Sequence, residues 1–300
     1  MKNLELKIFL ISIIIMIFLS LSFGEVINSS FLNQLIIFSI PLIWPGLAHG
    51  SLDIYSAERK NIVKNKYDLL FFLLTYVAIP VIFFLFWMNF SNIAFLIFLI
   101  LSASHFGISD KFPIKLNNYE KIAEIVLRGA LVISLPIQFH FNETKIIFGF
   151  LLVDSSFIDF LKDLNFIFLF FLTFCGLIFT SSCLIKKRYI LICEIYLIFF
   201  CFLYFKPLIS FLLYFCFFHS IRHLMIEKYE LNIGFRELFI KTLPMTLLCL
   251  FPLVISLIFP KLFFSAVSYE YLNYIVIGLS CLTLSHIILI NFIENDHSTG

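Results

Sequence analysis

Charge is scarce in this chain: Asp, Glu, Lys and Arg together make up 13% of its 300 residues. No linker or low-complexity tract interrupts it, so nothing in the sequence marks a second domain. No basic block and no aromatic-basic pattern is present, which argues against a nucleic-acid partner, and a formal net charge of +2 points to no other. No CxxC occurs. Cys175, Cys183, Cys193, Cys201, Cys216, Cys249 and Cys281 lie singly inside apolar runs. They read as small buried hydrophobes, not as a disulfide framework or a thiolate metal site. What fills the chain instead is hydrocarbon: 61% of it is hydrophobic, with 42 phenylalanines and a mean hydropathy of +1.04. A soluble domain sits near about 45–50% apolar. The fold class that follows is an all-α integral membrane protein.

About 20 apolar residues cross a bilayer as a helix. Segments 8–23, 31–50, 69–89, 92–108, 122–139, 164–185, 189–205, 208–226, 242–260 and 270–293 are candidates, giving a polytopic bundle of about 8–10 transmembrane helices. The first run lacks a small-x-small cleavage site, so it reads as a span and not as a signal peptide. Helical hairpin turns are expected at 90–91 and at 206–207, the latter with Pro207. Pro41 and Pro45 predict a kink or break in the second span. Residues 141–163 read as an outer loop with a short interfacial or re-entrant segment.

With a cytoplasmic N-terminus, fifteen of the 21 Lys and Arg fall on the inner side and four (Lys145, Lys162, Lys206, Lys261) outside. Arg128 and Arg222 are left within spans. This positive-inside asymmetry orients the chain in a cell membrane with both termini cytoplasmic. The expected organisation is an extra N-terminal transmembrane helix at 1–30, a membrane domain at 31–293 and a cytoplasmic tail at 294–300.

Histidines break the hydrocarbon. His49, His105, His219, His223 and His286 all fall near the inner ends of spans, whereas His140 lies on the opposite side and His297 in the tail. Ionisable groups inside a membrane are costly and face the bundle interior. The i,i+4 spacing of His219 and His223 puts two imidazoles on one helix face, as in helical HxxxH metal sites. His49 and His105 can each add one more. Gly50 and Gly107 permit close helix approach, and Asp53 and Asp110 are candidate acceptors for imidazole N–H groups. His286 is a further supporting residue, and Arg222 a candidate brace for Asp53 or Asp110. Four neutral imidazoles suit Zn, Cu, Fe or Ni, and spacing leaves these open. A zinc hydrolase would bring a carboxylate base, as in HExxH, which is absent.

Three classes compete for such a centre. A diiron histidine-box oxygenase or desaturase needs several clustered boxes with adjacent histidine pairs, and this chain has a single HxxxH. A histidine-lined transporter needs polar residues at the midplane of several spans, whereas here they gather at the inner ends. The third class is a carotenoid oxygenase. GLAHGSLD at 46–53, SHFGISD at 104–110 and FFHSIRH at 217–223 resemble the Brp/Blh family of bacterial and archaeal β-carotene 15,15′-dioxygenases. Arg128, in LRGALVISLP, also resembles a family pattern. The resemblance covers the chain from about residue 40 onward. It implies an Fe(2+) enzyme that splits β-carotene at its central double bond with O2 to give two retinal molecules. It also implies His49, His105, His219 and His223 as metal ligands. Membrane lipid is the surroundings, apolar substrate arrives from the bilayer, and the product implies a retinal-binding opsin downstream.

Overall fold

The structure, a computed structural model, describes residues 4–112, 116–258 and 270–293; the expected 294–300 tail and His297 lie outside them. Every element among the described residues is helical: α1 (Leu4–Ser29), α2 (Phe31–Pro41), α3 (Asp53–Arg59), α4 (Lys66–Asn89), α5 (Ser91–Ser109), α6 (Asn118–Phe139), α7 (Phe141–Gly149), α8 (Ser155–Ile185), α9 (Tyr189–Tyr204), α10 (Pro207–Tyr214), α11 (Ser220–Glu230), α12 (Phe235–Ile258) and α13 (Glu270–Ile288). The described residues of all ten expected spans fall on helix. Seven of these helical stretches, with α10 and α11 counted as one, are long and apolar enough to cross a membrane; α9 is a shorter apolar helix. The chain is a multi-pass membrane protein.

Local chemistry sets the helix ends. Asn65 caps α4 by accepting from the Tyr67 and Asp68 amides. At α6, Asn117 and Glu120 form a reciprocal capping box. Phe90 alone separates α4 from α5, and Pro207 opens α10 at a position where its missing N–H costs nothing. The stretch 141–163 differs from expectation. Its first part is α7 and its last nine residues belong to α8, because Ser155 starts a helix that runs on unbroken into the apolar segment.

Pro41 and Pro45 break the second span. α2 ends at Pro41, a π turn follows at Leu42–Gly46, and a 3-10 helix runs over Leu47–Leu52. Neither proline has an N–H to give to the helix ladder. Trp44 is extended (φ −142°, ψ 120°), so the chain changes direction just before His49. A second π turn, Phe215–His219, joins α10 to α11, and a third, Leu289–Ile293, follows α13.

α6 and the α10–α11 pair form the buried interior, while α4 and α8 are peripheral. The outer faces carry exposed Phe71, Val77 and Ile82 on α4 and Ile167, Phe170 and Phe174 on α8. Lipid is the solvent that accepts such a surface without penalty. α5 and α6 approach until backbones touch: a Cβ on Gly129 would overlap the Ala103 carbonyl, and one on Gly107 the Ile125 carbonyl. Small residues at a helix crossing allow this. Among the described residues, ion pairs at the rim join charges expected on the same side, as with Lys186 and Arg188 to Glu120, or Lys206 to Glu143.

Gly129→Val therefore destabilises the bundle by about 1–3 kcal/mol or more, because backbone cannot yield to the new methyls. Gly149→Val, where a Cβ meets nothing within 4 Å, leaves stability unchanged. Thermal unfolding in detergent compares the two.

Candidate metal centre

Four separate stretches of backbone deliver five imidazoles to one place. His49 rides on the 3-10 helix behind the proline break, and His105 lies one turn from the end of α5. His219 closes the second π turn, His223 lies one turn into α11, and His286 is in the last turn of α13. π turns of this kind occur often at functional sites, where the extra residue re-aims a side chain. Ring centroids are 5.1 Å apart for His105–His219, 5.4 Å for His219–His49, 5.9 Å for His49–His223, 5.2 Å for His223–His286 and 5.1 Å for His286–His105. His49 and His286 approach to 4.8 Å across this ring. All five are buried.

Four of the five imidazoles have a partner at Nδ1. His219 Nδ1 lies 3.0 Å from Asp110 Oδ1, and His286 Nδ1 lies 2.9 Å from both oxygens of Asp53. His49 Nδ1 meets the Gly46 carbonyl at 2.5 Å, and His105 Nδ1 meets Asn291 Oδ1 at 3.2 Å. Each acceptor takes an Nδ1–H, so the Nε2 atom keeps its lone pair. The Nε2 atoms of His105, His219 and His223 are buried without a hydrogen-bond partner. A buried lone pair left unmatched is costly. A metal ion is a fitting partner for several at once. Two imidazoles on one ion, at a metal–nitrogen distance near about 2.1 Å and angles of about 90–120°, have centroids about 5 Å apart. The spacings of 4.8 to 5.4 Å fit that condition and the 5.9 Å of His49–His223 exceeds it; among the described residues, the donor atoms that lie within 4.8 Å of one another are those of Asp53, His223 and His286.

Six carboxylates are buried among the described residues (Asp53, Asp110, Glu120, Glu124, Glu194, Glu227), against two buried cations, Arg128 and Arg222. Rim cations hold two of them: Lys186 and Arg188 hold Glu120, and Arg59 holds Glu227. Of the other four, Glu124 and Glu194 share Arg128, and Asp110 and Asp53 lie against His219 and His286. The network behind the histidines is continuous. Arg128 pairs with Glu124 at 2.8 Å and with Glu194 at 2.7 Å, and Arg222 pairs with Glu194 at 2.6 Å.

Arg222 does not hold either aspartate side chain. It donates to the Asp110 backbone carbonyl and to Glu194, reaches Glu5 of α1 at 3.3 Å, and stacks on Phe218 at 4.4 Å. A guanidinium with a rigid fork finds more acceptors there than a single carboxylate offers. His140 stays outside the cluster, with Nε2 on the Leu203 carbonyl. Several partners went unnamed in the sequence reading: Tyr76 and Tyr214, whose hydroxyls donate to Asp53 and Asp110, Asn291 beside His105, and the Glu124–Arg128–Glu194 network. Glu194 had a signal, being an isolated acid in the apolar run ILICEIYLIFF.

The family model described as Beta-carotene 15,15'-dioxygenase matches residues 40–294. A protein named Beta-carotene 15,15'-dioxygenase, from uncultured marine bacterium 66A03, is 31% identical over 264 residues, covering 86% of this chain and 93% of its own length. No solved structure matches.

Arg128→Met leaves Glu124 and Glu194 buried without their shared cation and costs about 3–5 kcal/mol of stability. Lys145→Ala, at a half-exposed pair with Asp159, costs less than about 1 kcal/mol. Chemical denaturation in mixed micelles measures both.

Proposed function

Because the chain belongs to the β-carotene 15,15′-dioxygenase family, we propose that it cleaves β-carotene at the central 15,15′ double bond with O2, giving two all-trans-retinal, at an iron(II) ion held by His49, His105, His219 and His223. The observation that carries this reading is the convergence of imidazoles from separate helices within the matched segment, with His49, His105 and His219 held at Nδ1 and the Nε2 atoms of His105, His219 and His223 buried without a partner. An iron(II) ion held by these residues would supply the activation of dioxygen.

The protein's own share is orientation and exclusion. Asp110, itself held by Tyr214, keeps the His219 proton on Nδ1 and so keeps Nε2 basic. The Gly46 carbonyl does the same for His49. Phe215 lies edge-on to His49 at 5.1 Å and Phe106 edge-on to His219 at 4.9 Å, which gives the cluster apolar walls. Such walls keep water away and suit a hydrocarbon substrate entering from the bilayer. Both oxygen atoms of O2 end in the two aldehydes, so the overall reaction moves no proton and requires no acid–base pair. The site lies toward the end of the bundle that carries most Lys and Arg, which supports a position in the cytoplasmic leaflet of a cell membrane. Retinal released there is available to a retinal-binding opsin.

Expression in cells that accumulate β-carotene tests the reading. The parent chain bleaches the cells and retinal appears, while His219→Ala and His223→Ala reduce retinal to background with the protein still in the membrane. Retinal at the parental level from either variant would remove the metal-centre reading.

A further inference from the structure

Two constructions in this bundle repeat each other. In one, Tyr214 donates its hydroxyl to Asp110, and Asp110 accepts the Nδ1–H of His219. In the other, Tyr76 donates to Asp53 at 2.5 Å, and Asp53 accepts the Nδ1–H of His286 at 2.9 Å. The parallel extends to sequence. Asp53 follows His49 by one helical turn in HGSLD, and Asp110 follows His105 by little more than one in HFGISD. Each motif thus gives its own imidazole to the cluster and, through its aspartate, orients an imidazole from a distant helix. His286 stands to the first motif as His219 stands to the second.

From this we propose that His286 is a fifth imidazole ligand of the same centre, held for that role by Asp53 and Tyr76; the inference rests on the metal-centre reading above. Position supports it. Of the four proposed ligands, three have ring centroids 4.8 to 5.2 Å from that of His286: His49, His105 and His223. Without it the others form an open chain, His105–His219–His49–His223, and His286 joins its two ends. Asp53, His223 and His286 also bring ligand atoms within 4.8 Å of one another, a grouping of candidate metal donors among the described residues. The charged carboxylate at Nδ1 raises the basicity of the imidazole at its other nitrogen, as an orienting partner of a metal ligand does.

Metal binding, not turnover, tests this. The full chain is purified in detergent, stripped with chelator and titrated with Co2+. Affinity is read by competition with a chromophoric chelator, and coordination by the visible ligand-field bands. The parent takes up one ion per chain. His286→Ala and the better-filling His286→Gln each weaken binding at least about tenfold and shift the bands. Asp53→Asn weakens it to a smaller degree, in step with Asp110→Asn. His140→Ala behaves as the parent. Should His286→Ala aggregate, His286→Gln decides alone. If the His286 variants bind within twofold of the parent with unchanged bands, His286 is a packing residue and this proposal falls while the four-ligand reading stands. If the parent itself takes up no ion, the four-ligand reading fails and takes this one with it.

Discussion

The hydrogen bond at the outer nitrogen of four of the five imidazoles is the constraint on which the cluster's geometry depends. A neutral imidazole can present its lone pair from either nitrogen, and nothing in an apolar bundle selects one. Here Asp110, Asp53, the Gly46 carbonyl and Asn291 each take an Nδ1–H, from four different parts of the chain. With that choice made four times over, the inward nitrogens carry lone pairs and repel one another.

The buried ion network follows from the same constraint. Asp110 can serve His219 only if its backbone is fixed, and Arg222 fixes it by binding its carbonyl oxygen. Arg222 in turn needs anions, which Glu194 supplies, and Glu194 needs Arg128. Each step relieves one buried charge by introducing another, until Glu124 ends the series by accepting from Arg128 and from the Phe112 amide. An interior of this kind is costly to make and intolerant of partial removal.

Sequence patterning carried the architecture well and the fine wiring poorly. Long apolar runs, separated by charges that alternate in side, define helices because lipid leaves the backbone no other way to pair. The break at Pro41 and Pro45 was legible for an equally local reason: a missing N–H. The pooling of His49, His105, His219 and His223 could be read from their common depth, as could the roles of Asp53 and Asp110 as acceptors beside histidines. Arg222 could not be placed, because its partners Glu5 and Glu194 are 217 and 28 residues away and its third is a backbone oxygen. Tyr76 and Tyr214 were hidden among aromatic residues that otherwise do nothing but pack. Residues 155–163 looked like loop since they are polar, yet they are the solvent-facing start of α8. Polarity marks exposure more directly than it marks conformation.

α1 lies upstream of residues 40–294, the stretch shared with the family. Even so, Phe9 is fully buried with its ring 5.2 Å from Phe218, and Glu5 reaches Arg222. During insertion Glu5 enters the bilayer region long before Arg222 is synthesised, and Asp53 precedes His286 by 233 residues. Both carboxylates must wait among lipid or translocation machinery for partners still on the ribosome. The cluster can therefore close only after α13 has packed beside Asp53, so a chain that stops before α13 lacks that part of it.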